Sequence, residues 1–301
     1  MSHNPHAQQA SAAQSATTAG ALPRFALSGH RVIALSGRDA VTFAQAQTMN
    51  DVDGLPVGRW QWNGWLTPKG RVIALFLLVR VAADVVWLVV PDTDAEALAT
   101  SLRRFVLRRK LDIAVREDLH VNGAFAAPAR AAGASFDGDE ATGIELDLGG
   151  FGIPRTLRIE AAPAPVDAEA TVRWAAADLR LGLARLPPSQ AEQWTPQMLS
   201  LERLHAYSVK KGCYPGQEIV ARTHFLGQAK RGLVLFEAAQ DPGVGTNVDI
   251  GATALGQVVS IARNGEGFVV LAVLPAEHAD APITANGIAL RQRALLGGLA
   301  R

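Results

Sequence analysis

The sequence predicts an α+β protein of more than one domain that ends in an antiparallel β-barrel. Three observations carry this. Between Arg31 and Val115, β-rich runs alternate with two helical stripes. From Gly232 onward, strands follow one another with almost no helix between them. A chain of 301 residues, 49% of them hydrophobic, is long enough for two or three cores, at roughly 100–200 residues per domain.

The elements follow in order. Residues 1–23, rich in Ala, Ser, Gln, Thr and His, read as a disordered tail. Residues 31–35 form a β-rich run. Over 36–49, Val41, Ala44 and Thr48 recur at helical spacing, which predicts a helix. Two strands follow at 60–66 and 71–81. Thr67-Pro68-Lys69-Gly70 joins them, with Pro and Gly at the turn positions that favour them. A strand at 85–90 leads to Asp92-Thr93-Asp94, a helix start, and Leu98, Leu102, Phe105 and Val106 then predict a helix running through Arg109. A strand at 111–115 closes the set, and the order resembles a split β-α-β-β-α-β unit over 24–125. Residues 126–143 and 161–165 read as loops within a middle α+β segment, 126–228. The last segment, 229–301, carries strands at 233–236, 255–261 and 268–274, and Asn264-Gly265-Glu266-Gly267 supplies a hairpin turn. Such strands close most naturally into a small barrel.

Composition excludes several classes. A net charge of +1 gives no global attraction to nucleic acid or membrane. Cys213 is the single cysteine, so neither an internal disulfide nor a self-contained thiolate cage for zinc or iron–sulfur can form. The seven histidines are scattered, with no pair at ligand spacing beyond the N-terminal tail, so no resident metal is expected. No secretory or transit pattern and no apolar run long enough to span a bilayer is present, which points to a cytoplasmic, reducing setting. Arg103, Arg104, Arg108, Arg109 and Lys110 form a basic patch. Only Phe105 offers a ring there, which argues against nucleic acid and for a solvated helix face.

The chemistry concentrates around Cys213. The chain has five lysines against twenty-four arginines, yet Lys210 and Lys211 sit together just before it, and Pro215-Gly216-Gln217-Glu218 reads as a helix start just after. Nearby cations and free helix N–H groups both favour an ionised sulfur, so Cys213 is a candidate reactive thiolate with Lys211 beside it. The plainer role is that of a small buried hydrophobe. Trp60, Trp62 and Trp65 fall in one strand, with the first two on one face and Trp65 on the other. Such rings, and Trp174, can stack on a planar heterocycle or simply fill a core. Asn50-Asp51 ends the first helix and either turns the backbone or offers polar contacts at a cleft.

Lys211-Gly212-Cys213-Tyr214-Pro215-Gly216-Gln217-Glu218 resembles the K-G-C-Y-x-G-Q-E signature of the YgfZ-type folate-binding proteins, which are relatives of the glycine-cleavage T-protein (aminomethyltransferase). Residues 43–52, 66–72 and 194–197 extend the likeness over most of the chain. Met49 replaces a threonine of the family pattern. The resemblance implies a three-domain ring of T-protein type around a central folate channel, with a C-terminal barrel and Cys213 near the channel. It implies tetrahydrofolate as cofactor, contacted by Asn50, Asp51, Trp65, Trp174, Arg180, Gln217 and Glu218. It further implies iron–sulfur enzymes or cluster-assembly proteins as partners, in synthesis or repair of clusters. Two departures matter. Ala74 and Leu75 replace the aspartates that T-proteins carry there, which argues against aminomethyltransferase activity. Arg180 stands where a pterin-binding carboxylate is expected. The alternative function is a tetrahydrofolate-dependent one-carbon transferase or demethylase.

Overall fold

The computed structural model describes residues 23–226, 230–277 and 281–301, so the tail reading lies outside them save for Pro23. The first eight elements are β1 (Phe25–Ala26), β2 (His30–Ser36), α1 (Ala40–Gln47), β3 (Arg59–Leu66), β4 (Val72–Ala82), β5 (Val85–Pro91), α2 (Ala95–Arg103) and β6 (Asp112–Val115). Five of the strands form one sheet in the order β3-β4-β5-β2-β6, antiparallel throughout. That is one strand more than a split β-α-β-β-α-β unit has, because β3, β4 and β5 make a meander between the two helices. The pleat falls as expected. Trp60, Trp62, Leu75 and Leu77 face one core, while Trp65, Ala74, Phe76 and Leu78 face another, packed against α1 and α2.

Both helices are shorter than their apolar stripes suggest. Ser36 stays in β2, and Gly37 turns the chain at φ +130, where a Cβ would lie 2.6 Å from Lys110 O. Helix α2 is capped by Asp94, whose carboxylate accepts from Ala97 N. It stops at Arg103, whose Nε donates to Ile113 O on β6. Tight i→i+3 turns then carry the chain to β6, leaving Phe105 and Leu107 exposed instead of on the buried stripe.

The second sheet adds β7 (His120–Ala124), β8 (Asp137–Asp139), β9 (Gly143–Asp147) and β10 (Thr156–Glu160), ordered β1-β7-β10-β9-β8. It therefore draws strands from both sides of residue 125, and part of the expected 126–143 loop is strand. Helix α3 (Ala168–Arg180) packs beside this sheet and against the barrel. Asp167 caps its first turn. Short 3-10 turns at Pro188–Gln190 and Leu201–Leu204 lead to α4 (Gln217–Leu226). The closed barrel is built from β11 (Arg231–Ala238), β12 (Asn247–Ile250), β13 (Thr253–Asn264), β14 (Gly267–Pro275), β15 (Ile283–Ala285) and β16 (Ile288–Arg293). The expected hairpin joins β13 to β14, with Asn264 paired to Gly267 and Gly265 at φ +60.

The largest core runs through all three units. It joins Trp60 and Trp62 of the first sheet, Leu157 and Ile159 of the second, and Leu233 and Leu271 of the barrel. The last residues close this seam. Trp62 Nε1 donates to Leu299 O at 2.7 Å. Arg301 donates to Asp147 O and Gly149 O at 2.9 Å each and lies over the Trp60 ring. Among the described residues no helix is long and apolar enough to cross a membrane.

Candidate functional site

The Cys213 loop is anchored on both sides and free in the middle. Before the sulfur, Ser208 N donates to Met49 O, and Ser208 Oγ accepts from Lys210 N and Lys211 N. Lys211 then reaches away from Cys213. The residue is 7% exposed, and its ammonium donates to Gln45 O, Thr48 O and Asn50 O, in and just past the last turn of α1. Those carbonyls carry the partial negative charge of a helix C-terminus, which is why a cation settles there. All three ammonium protons are used, leaving none for the sulfur. Burial pushes the Lys211 amine down to about 8, against the pull of Asp51 and Asp53.

After the sulfur, Tyr214 is buried. Its hydroxyl donates to Ser208 O at 3.2 Å, and the Lys211 ammonium lies 5.0 Å from its ring centre. Gly216, at φ +79, backs directly onto the β3–β4 turn: a Cβ there would sit 2.6 Å from Thr67 O and 2.7 Å from Gly70 Cα. Gln217 Nε2 donates to Lys211 O, and Glu218 is exposed in the first turn of α4. Cys213 itself is exposed, as is Gly212, beside which nothing lies within 4 Å of a built Cβ. The buried-hydrophobe role is thereby excluded.

The junction of the three units holds a second polar cluster, which the sequence reading missed. Arg155, fully buried on the lead-in to β10, donates to Asp178 of α3 at 2.6 Å. Arg185 bridges Asp178 and Asp92, and Asp92 takes a left-handed φ of 63 to meet it. His30 packs nearby and is held well below its ordinary pKa by burial, with the charges of Arg185 and Arg155 pushing the same way. No spacing rule could have found these pairs, since Asp92 and Arg185 are 93 residues apart.

Of the residues expected to hold tetrahydrofolate, Asn50 and Gln217 both meet Lys211, while Trp65, Trp174 and Arg180 stand on other elements. Trp174 is packed between Phe25 and Phe125, and the Arg155 guanidinium covers its face at 4.5 Å, so the ring has no side left for a pterin. Trp65 packs edge-on to Phe105 on the helical side of the first sheet. Asn50 is a buried tie, donating to Trp62 O and His205 O, while Asp51 accepts from Gln45. Arg180 ends α3, which packs against the barrel. There Glu237, held below the ordinary carboxylate range mainly by Arg293, also feels its charge. The cavity lined by Trp62, Leu75, Asp92, Leu183 and Arg185 has a volume of about 10 Å³, room for no more than one water. Cys213 is not among the residues lining that cavity and stands exposed at the surface. Among the described residues, no three His, Cys, Asp or Glu side chains cluster as a metal site would need.

No family model matches the chain. It is 27% identical over 276 residues, 83% of each chain, to a protein named tRNA-modifying protein YgfZ from Serratia proteamaculans. A protein of the same name from Klebsiella pneumoniae is 28% identical over 218 residues, 66% of each chain. An uncharacterized protein of Haemophilus influenzae is 26% identical over 228 residues, covering 74% of this chain and 77% of that one. Among solved structures, the glycine cleavage system aminomethyltransferase T from Bartonella henselae superposes with a TM-score of 0.71 at 16% identity, over 91% of this chain and 85% of that one. This last likeness speaks for the fold. The chain is thus YgfZ-like in sequence and T-protein-like in architecture, with the barrel where the sequence placed it.

Proposed function

We propose that this YgfZ-type chain serves the synthesis or repair of iron–sulfur clusters in client enzymes, with Cys213 as the working group. One observation carries the reading: an exposed thiol held at a fixed place on a loop whose flanks are tied down by Lys211, Tyr214 and Gly216. A side chain so held can enter another protein's site without the loop having to order first. One cysteine cannot cage a cluster, so the cluster remains the client's, and Cys213 acts as a transient ligand. The thiol proton passes to solvent, the sulfur gives an electron pair to a cluster iron, and the ligand it displaces departs. Gln217 and Glu218, at the start of α4 beside the loop, would meet the client's surface. The relatives' printed name, tRNA-modifying, would apply here through a client that modifies tRNA and carries a cluster.

Tetrahydrofolate would require the junction to open and the Arg185–Asp92 pair to part, so the reading runs without it. The one-carbon transferase alternative further needs an acid or base at Ala74 or Leu75, where only alkyl side chains stand. The deciding experiment expresses Cys213→Ser and the unaltered chain in cells lacking the native protein and assays a cluster-dependent enzyme. Loss of rescue with normal protein level is expected, and full rescue would end the thiol role. Calorimetric titration with tetrahydrofolate should show no saturable heat, and a tight complex would restore the folate reading.

A further inference from the structure

Among the described residues, Leu107 is the most exposed large hydrophobic side chain, at 89%, and Phe105 near it is 45% exposed. Both stand on the turns between α2 and β6. Leu107 takes a left-handed φ of 51, a backbone that leucine rarely adopts. The tip is nonetheless fixed at its base. Lys110 N donates to Asp39 Oδ2 at 2.6 Å, and Asp39 N donates back to Lys110 O. The Phe105 ring packs edge-on to Trp65, and the Arg109 guanidinium covers the Phe43 ring at 5.6 Å.

Cations surround the leucine. Residues 103–112 hold Arg103, Arg104, Arg108, Arg109 and Lys110 against Asp112 alone, although the whole chain carries only +1. Arg103 is engaged with Ile113 O and Glu96. Arg104, Arg108 and Lys110 are exposed, and among the described residues their side chains have no hydrogen bond or ion pair. Leu107 and Arg108 border a shallow hollow whose one acid, Asp39, already holds Lys110 N.

We propose that this tip is a docking point for an anionic phospholipid surface. Leu107 enters the acyl boundary while Arg104, Arg108 and Lys110 meet headgroup phosphates. The tip needs an apolar seat and negative charge in the same partner, and a bilayer interface supplies both. RNA phosphates would meet the cations but give Leu107 no seat, and the Phe105 ring rests on Trp65 instead of standing free to stack. A stable protein interface takes roughly 20–30 residues a side around an apolar centre. Here two apolar side chains stand on the short stretch 104–110, which suits a fluid surface that moulds to any shape. Residues 1–22 of the chain carry no Asp or Glu, and a second copy set tip to tip would oppose like charges.

Vesicle flotation of the full chain tests this. Vesicles of phosphatidylglycerol and phosphatidylcholine in equal parts should hold half of the protein at about 0.1–1 mM accessible lipid in low salt, the weak, reversible binding that one leucine and three cations imply. Pure phosphatidylcholine should bind at least about tenfold less, and about 0.5 M salt should release the protein. Each cation is worth about fivefold, so Arg104→Gln with Arg108→Gln should weaken binding about twentyfold. Leu107→Asn, which accepts the left-handed backbone, should weaken it at least about fivefold. An unchanged urea midpoint shows that each variant is folded. Cys213→Ser should bind unchanged, which keeps this result apart from the cluster reading. Poly-L-glutamate and polyuridylate stand for an acidic protein and an RNA. Binding to either as tight as to the mixed vesicles, equal binding to pure phosphatidylcholine, no vesicle binding, or full binding in both folded variants would overturn the membrane role.

Discussion

Replacing Lys211 with Met removes one ammonium while keeping most of its buried chain. The structure sets the size of the effect. Three carbonyls, of Gln45, Thr48 and Asn50, lose a charged donor in a site only 7% exposed, and the thioether offers nothing in return. A buried polar group left without a partner costs about 1–3 kcal/mol. Three that share one site do not add in full, so a loss of about 3–5 kcal/mol is expected. In urea at pH 7, with a slope near 3 kcal/mol/M, the midpoint should fall by about 1–1.7 M. The pH dependence has a defined sign. Burial holds the folded amine at about 8 against an ordinary 10.5. Between those values the unfolded chain binds a proton that the folded chain does not, so stability rises with pH. From pH 7 to 9.5 the advantage of the wild type over Lys211→Met should grow by about 2 kcal/mol. A midpoint shift under about 0.3 M, or an advantage flat in pH, would refute the capping role drawn for this side chain.

Gly216→Ala puts a Cβ 2.6 Å from Thr67 O at φ +79, so a loss of about 2–4 kcal/mol is expected, while Gly212→Ala, with open space around it, should be near neutral in the same urea titration. Asp178→Asn strips the carboxylate from buried Arg155 and from Arg185, and calorimetry should record a loss of about 3–5 kcal/mol. His30 is buried with its pKa held below 6.5, so on acidification the unfolded chain takes up the proton first. Stability should fall below pH 6.5 and fall less in His30→Gln; parallel curves would remove His30 as the cause. Native Cys213 should react with an aromatic disulfide reagent without prior unfolding, and protection down to the global unfolding rate would contradict its exposure.

The sequence carried what is local. The Thr67–Gly70 turn, the alternation of Trp60, Trp62 and Trp65, and the Asn264–Gly267 hairpin each follow from residues within a few positions of one another, and all stand in the fold. The stripe through Phe105 and Val106 misled, because helix periodicity continues where an Arg103 bond to Ile113 ends the helix. Pairing between distant segments was beyond it as well. Nothing in Phe25–Ala26 announces that it will edge a sheet through Gly123 and Asn122. At the signature loop, adjacency suggested that Lys211 serves Cys213, whereas its partners lie more than 160 residues earlier. The motif was legible as a marker of kind. The labour of each residue in it was not.

The bond from Trp62 to Leu299 has a bearing on how the molecule is made. A ribosome adding roughly 5–20 residues per second needs on the order of ten to fifty seconds to cover the 237 positions between them. During that interval the face of the first sheet that carries Trp60 and Trp62 has neither the Arg301 guanidinium nor the carbonyl that will seal it. That seam of the nascent chain therefore stays open until Leu299 and Arg301 have been made, long after the second sheet has covered the rest of the face.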